Sequence, residues 1–114
     1  MDLQVIRVDD VVSHIALRGR LDAAGVQEVD SLYQGYTVAR RKPVLVDLSG
    51  VDFLASLGLR LFILVAKSLA KHKLTMVLVA PQGEVAKTLA ASGITDLIPS
   101  APNVEAAMSL LGLA

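Results

Sequence analysis

Residues 44–66, VLVDLSGVDFLASLGLRLFILVA, constrain the rest of the chain more than any other stretch. Val44 to Asp47 is short, apolar and branched, the pattern of a buried strand. Ser49-Gly50 supplies turn chemistry behind it. From Ser56 a helix is expected to about Lys71, with Leu57, Leu61, Leu64 and Val65 on its core face and Arg60, Lys67 and Lys71 on its wet face. Leu59, Phe62 and Ile63 do not all fit that core face, so part of the surface around Phe62 and Ile63 is expected at an interface. Ser56 is the expected N-cap, its hydroxyl accepting from a free backbone N–H one turn on. The apolar window from Phe53 to Ala66 is 14 residues long and holds Arg60. A bilayer span needs about 17–25 residues, so a buried helix is the better reading.

The other elements follow from pattern. Residues 3–8 and 11–18 are two strands joined by Asp9-Asp10, an antiparallel hairpin. Gly19-Arg20-Leu21-Asp22 ends the second strand, and Asp22 caps a helix whose apolar positions are Val26, Val29, Leu32, Tyr33 and Tyr36. Gly25 and Gly35 weaken that helix, by about 1 kcal/mol each if interior. Arg40, Arg41 and Lys42 close it as a C-terminal cationic cap, and Pro43 stops it. Leu74 to Ala80 is an inner strand, apolar on both faces. Pro81 starts a third helix with Val85, Leu89 and Ala90 inward, and Gly93 ends it. A short strand is expected at Leu97-Ile98. Asn103 caps a last helix to about Leu111, with Val104, Ala107, Met108 and Leu111 facing in. The order β-β-α-β-α-β-α-β-α predicts an α/β fold: a single mixed sheet with packed helices, one domain over residues 1–114.

Composition narrows the function. The chain has 114 residues, 54% of them hydrophobic and 19% charged, which suits one globular domain with a real core. Eleven basic and eleven acidic side chains cancel, so the electrostatic footprint of a nucleic-acid binder is missing. There is no cysteine, hence no disulfide or thiolate chemistry. The first ten residues lack the basic and apolar blocks of a signal peptide. His14 lies in a strand pattern and His72 at a helix end, and neither joins a zinc spacing. No phosphate loop, dinucleotide fingerprint or serine elbow is present. The expectation is a non-enzymatic, cytoplasmic protein without metal or cofactor. What remains is Ser56 with Asp22, Asp47 and Asp52, expected together at strand C-terminal ends, where open α/β sheets place their sites. A phosphate there would add about −1.5 to −2 charges, which the helix N-terminus favours and the carboxylates oppose. On spacing alone Ser56 is a plain cap.

Val46-Asp47-Leu48-Ser49-Gly50-Val51-Asp52-Phe53, followed by Ala55-Ser56-Leu57-Gly58-Leu59, resembles the central motif of STAS domains, the anti-sigma factor antagonists and their relatives. Gly19-Arg20-Leu21-Asp22, Pro81 with Val85 and Leu89, and Ser92-Gly93-Ile94 are similar too. The resemblance implies a partner-switching protein that binds an anti-sigma factor which is also a serine kinase. It implies phosphorylation of Ser56 and its reversal by a PP2C-type phosphatase. Asp22, Asp52, Ala55, Leu57, Gly58 and Arg60 are then the expected partner contacts. No nucleic acid or membrane insertion is implied, and a homodimer stays open. Two positions depart from the family pattern: Ala55 stands where an Asp is common, and Leu57 where a small Ser or Thr is common. The alternative is a constitutive STAS scaffold of a lipid-transport or stress-signalling complex, in which Ser56 is only a cap.

Overall fold

The computed structural model describes residues 1–113. One five-stranded sheet runs in the order β1-β2-β3-β4-β5. β1 (Asp2–Val8) and β2 (Ser13–Leu21) are antiparallel. β3 (Val44–Leu54), β4 (Met76–Val79) and β5 (Ser100–Ala101) are each parallel to the strand before them. α1 (Ala23–Tyr36), α2 (Ser56–Ala70) and α3 (Gly83–Ser92) are the crossovers, and α4 (Val104–Leu110) follows β5. This is the mixed α/β order that the alternating pattern predicts.

The strand order also decides where the helices lie. From β2 to β5 every connection steps the same way across the sheet. Right-handed crossovers therefore put their helices on one face. Val29 and Tyr33 of α1, Leu61, Phe62, Val65 and Leu69 of α2, and Val85 and Leu89 of α3 share a core with Ile15, Leu17, Val46, Leu48 and Leu78 of the sheet. Ala107 of α4 packs instead with Val12, Leu45, Val77, Val79 and Ala101 in a second cluster. β4, buried at all four positions, lies between the two.

Several expectations are corrected by the tertiary pairing. Ser49-Gly50 is not a turn, because β3 continues to Leu54 and follows β2 through register shifts. A Cβ on Gly50 would come 2.8 Å from Arg18 Cγ, so glycine lets the strands close there. The Asp9-Asp10 link is a longer turn: Asp9 Oδ1 accepts from the N–H groups of Val11 (2.8 Å) and Val12 (3.0 Å). Arg40 is used locally, donating to Ser13 Oγ at 3.0 Å and to the Asp9 carbonyl. α3 begins at Gly83, two residues after Pro81. The last strand is Ser100–Ala101, and a 3-10 turn at Ile94–Asp96 precedes it. Asn103 caps α4 as expected, its Oδ1 accepting from Ala106 N–H at 2.8 Å. Val104 is exposed, not inward.

The largest corrections concern which apolar residues are core. Phe62 is 0% exposed, its ring 6.2 Å from that of Tyr33, whose hydroxyl donates to Met76 Sδ. Leu57 and Leu64 are 45% and 53% exposed, and Leu32 is 54% exposed. α2 is rotated so that Leu61, Phe62, Val65 and Leu69 meet the sheet. The free apolar surface thus lies on Leu57 and Leu64, and not on Phe62.

His14, on β2, is 6% exposed and its Nε2 has no hydrogen-bond partner among the described residues. Burial pushes its pKa below the ordinary 6.5, and Arg7 pushes the same way against the pull of Asp47.

Two outcomes follow for stability in urea. Phe62→Ala is expected to cost about 3–5 kcal/mol, while Leu64→Ala stays within about 0.5 kcal/mol. His14 is held neutral, so its fold takes up fewer protons than the unfolded chain below 6.5. Stability is therefore expected to fall as pH drops from 6.5 towards the lowered folded value, and this slope should shrink in His14→Leu.

Candidate functional site

β3 ends at Leu54 and α2 begins at Ser56, with Ala55 between them. Ala55 is the N-cap. Its backbone is extended, and its side chain makes no capping bond. Its carbonyl accepts from Gly58 N–H (3.0 Å) and Leu59 N–H (3.2 Å). The expectation that Ser56 caps the helix is thus corrected by one residue. Capping by a side chain needs the extended backbone that Ala55 holds, and Ser56 already has helical geometry. The consequence is chemical. Ser56 is exposed and its hydroxyl makes no hydrogen bond among the described residues.

A second helix N-terminus lies beside the first. Ala55 N–H donates to the Leu21 carbonyl at 3.0 Å, which ties the end of β3 to the end of β2. The next residue, Asp22, caps α1 as expected: Oδ1 accepts from Gly25 N–H at 2.8 Å. That bond, with a smaller contribution from Arg20, holds the Asp22 carboxyl below the usual carboxylate range. Arg20 Nε lies 3.6 Å from Asp22 Oδ2, and its guanidinium sits 4.2 Å from the centroid of the Phe53 ring.

Glycines permit this approach. A Cβ on Gly25 would come 2.1 Å from the Arg20 carbonyl oxygen. A Cβ on Gly58 would come 2.7 Å from Leu54 Cδ1 and 2.9 Å from Leu21 Cδ2. Gly25 is therefore required by packing, and the helix-propensity argument against it misses its role. Gly58 is buried under the site and does not face out of it.

Along the helices a groove of about 260 Å³ runs between α1 and α2. Val26, Asp30 and Gln34 form one wall, and Leu57, Arg60 and Leu64 the other. The structure thus gathers Ser56, Asp22, Ala55, Leu57, Gly58 and Arg60 around one end of the sheet. Asp52 is exposed near the end of β3. Asp47 does not join them. It pairs with Ala16 and Val79, on the order of 20 Å along the strand from Leu54. Arg20 and Phe53 lie within the family-like stretches 19–22 and 46–53 without a role assigned to them there, and Asp30 and Gln34 lie in no motif. The β2–β3 register and the α1–α2 packing bring all four in. Among the described residues no group of three His, Cys, Asp or Glu side chains could hold a metal ion. No helix among them is long and apolar enough to cross a membrane.

The family model of the STAS domain matches residues 3–107, and the chain belongs to that family. BtrV of Bordetella bronchiseptica, by name a candidate anti-sigma factor antagonist, is 27% identical over 107 residues, covering 94% of this chain and 91% of that one. A crystal structure from Thermotoga maritima, described in the same terms, superposes with a TM-score of 0.84 at 17% identity, covering 93% and 92% of the two chains. The anti-sigma factor antagonist SpoIIAA, in its unphosphorylated form, gives a TM-score of 0.79 at 20% identity over 99% of each chain. At these identities the structures establish the fold.

The Asp22 cap carries a pH signature. Its lowered pKa means that the ionised carboxylate favours the fold at every pH above the ordinary carboxylate value, and that this contribution is lost as pH falls through the lowered one. Asp22→Ala is expected to melt at a lower temperature than the wild type at neutral pH, and the gap should close in acid. A gap that persists unchanged in acid would show that the ionised cap is not its source.

Proposed function

We propose that this chain, acting as one STAS domain over residues 1–114, is an anti-sigma factor antagonist switched at Ser56. The observation that carries the reading is the exposed Ser56 hydroxyl, unspent by the fold, at the first position of α2. The relation to BtrV supports it, as does the likeness to SpoIIAA, whose Bacillus form has also been solved phosphorylated.

In this reading the unphosphorylated domain docks on an anti-sigma factor through the α2 end. Leu57 and Leu64 offer the apolar contact, Arg60 and Asp30 the polar rim, and Asp22 and Asp52 the flanking charges. The anti-sigma factor is also a serine kinase. Ser56 Oγ attacks the γ-phosphorus of ATP, the O–P bond to ADP breaks, and the hydroxyl proton passes to a base of the kinase. The new group brings about −1.5 to −2 charges. The uncapped first turn of α2 favours it by roughly 0.3–1 kcal/mol. The carboxylates of Asp22 and of the partner's docked surface oppose it. The fold is kept and the interface is lost. A PP2C-type phosphatase restores the serine by hydrolysis. Such a cycle belongs to the cytoplasm, and the domain is its binding module and phosphate acceptor.

Ala55 departs from the acid common at this position in the family. With alanine there, the first-turn N–H groups of α2 have no side-chain cap, and the exposed Leu57 serves as an anchor.

The test is binding to the anti-sigma factor kinase by calorimetry, with mass spectrometry after addition of ATP. Ser56→Ala is expected to bind as the wild type and to remain bound with ATP present. Ser56→Asp is expected to bind at least about tenfold more weakly, the scale of an unpaired like charge in an interface. Full binding by Ser56→Asp, with no phosphate found on Ser56, would sink the switch and leave a constitutive scaffold.

A further inference from the structure

The end of the sheet opposite Ser56 is cationic, although the chain as a whole is neutral. Parallel pairing brings this about. Val44 pairs with Met76, and Val44 N–H donates to the Thr75 carbonyl at 3.1 Å. The segments leading into β3 and β4 therefore lie side by side. One carries Arg41 and Lys42, the other Lys71 and Lys73, with Lys67 one helical turn above. Among the described residues none of these five cations has an ion-pair partner. Arg40 is spent on Ser13 and Asp9, and Asp9 is held by Arg7. Asp10 and Asp96 are the remaining carboxylates on the turns of this end.

Helix termination explains only part of this. Lys67 and Lys71 complement the C-terminus of α2. Arg41 and Lys42 belong to another connection, and nothing about ending α2 requires them there. Arg41 and Lys73 each stand three residues before the Val44–Met76 pair, and both hold left-handed backbone, φ 54 and 60. Glycine or asparagine is usual in that conformation. Arg41 closes the 3-10 turn Val38–Arg40 and Lys73 the turn after α2, and the side-by-side start of β3 and β4 brings these two chain reversals, with their cations, together.

Between α2, the start of β4 and the approach to β5 lies a slot of about 150 Å³. Ala66, Ala70, Leu74 and Met76 line it, with Lys67 and Leu97 among its walls. Leu97 is 51% exposed. An apolar slot beside a row of unpaired cations matches one kind of ligand. We infer that this end docks an acidic segment of a partner protein, which inserts one aliphatic side chain into the slot while its carboxylates face Arg41, Lys42, Lys71 and Lys73. A flat anionic membrane would use the cations and leave the concave slot empty. This surface is separate from Ser56 and stands whether or not the switch at Ser56 operates.

The test is fluorescence polarisation with two labelled peptides. One has aspartates and glutamates flanking a central leucine, and the other has glycine in place of the leucine. The leucine peptide is expected to bind saturably, and to weaken at least about tenfold in Lys71→Glu/Lys73→Glu and at high salt. Arg41→Glu and Leu97→Ser should each weaken it, and Ser56→Asp should not. Circular dichroism melts verify that each variant is folded, and if the double variant fails to fold, Arg41→Glu and the two-peptide comparison still decide. No binding, or equal binding of both peptides, overturns the proposal. Cosedimentation with phosphatidylglycerol vesicles in the absence of peptide binding overturns it in favour of a membrane surface.

Discussion

The contact on which the rest depends is the meeting of Leu21, Leu54 and Gly58. There the ends of β2 and β3 are joined by the Ala55 N–H to Leu21 carbonyl bond, and the first turn of α2 lies on both leucines. Remove the close approach and α2 must lift or tilt. Its buried row, Leu61, Phe62, Val65 and Leu69, would then lose its fit to the sheet. The same contact sets the position of Ser56, one residue inside the helix and clear of the cap. Core packing and the candidate site are therefore one construction, and a change in either is felt in the other.

The two ends of the sheet have different characters because parallel strands sort their connections. Every strand from β2 to β4 sends its C-terminal end to the Ser56 side and receives its N-terminal end from the other side. Helix N-termini accumulate at one end and helix C-termini at the other, where α2 carries Lys67 in its last turn and the turns into β3 and β4 carry the other cations. A chain with no net charge thus becomes polarised along its strands. Composition shows no excess of cations in sum, and it was blind to this arrangement, which arises only when residues 41–42 and 71–73 are brought side by side.

Much of the fold was legible. The strand-helix alternation predicted the mixed sheet, and Asp22 and Asn103 were readable as caps because a side-chain oxygen three residues before a free N–H acts locally. Errors came where a distant partner overruled a local signal. Ser49-Gly50 reads as a turn, but β2 pairs across it and keeps it in the strand. Leu57 and Leu64 fit a helical stripe as well as Phe62 does. Only the docking angle of α2 decides that Phe62 is core and the two leucines are surface. Ser56 looks like a cap because the residue before it is alanine, and nothing in the local pattern says that the extended backbone belongs to Ala55.

By itself, the sequence determined the order of elements, the family pattern around Ser56 and the presence of one unusually apolar helix. These rest on interactions between residues close in the chain, whose spacing is visible in the letters. Tertiary structure alone decided that Ser56 is free of the cap, that Asp47 is remote from it, that Arg20 and Phe53 border it, and that five cations share the far end. Each of these depends on strand register and helix rotation. Both are settled by how apolar surfaces fit across the sheet, a property of the packed core and not of any one segment.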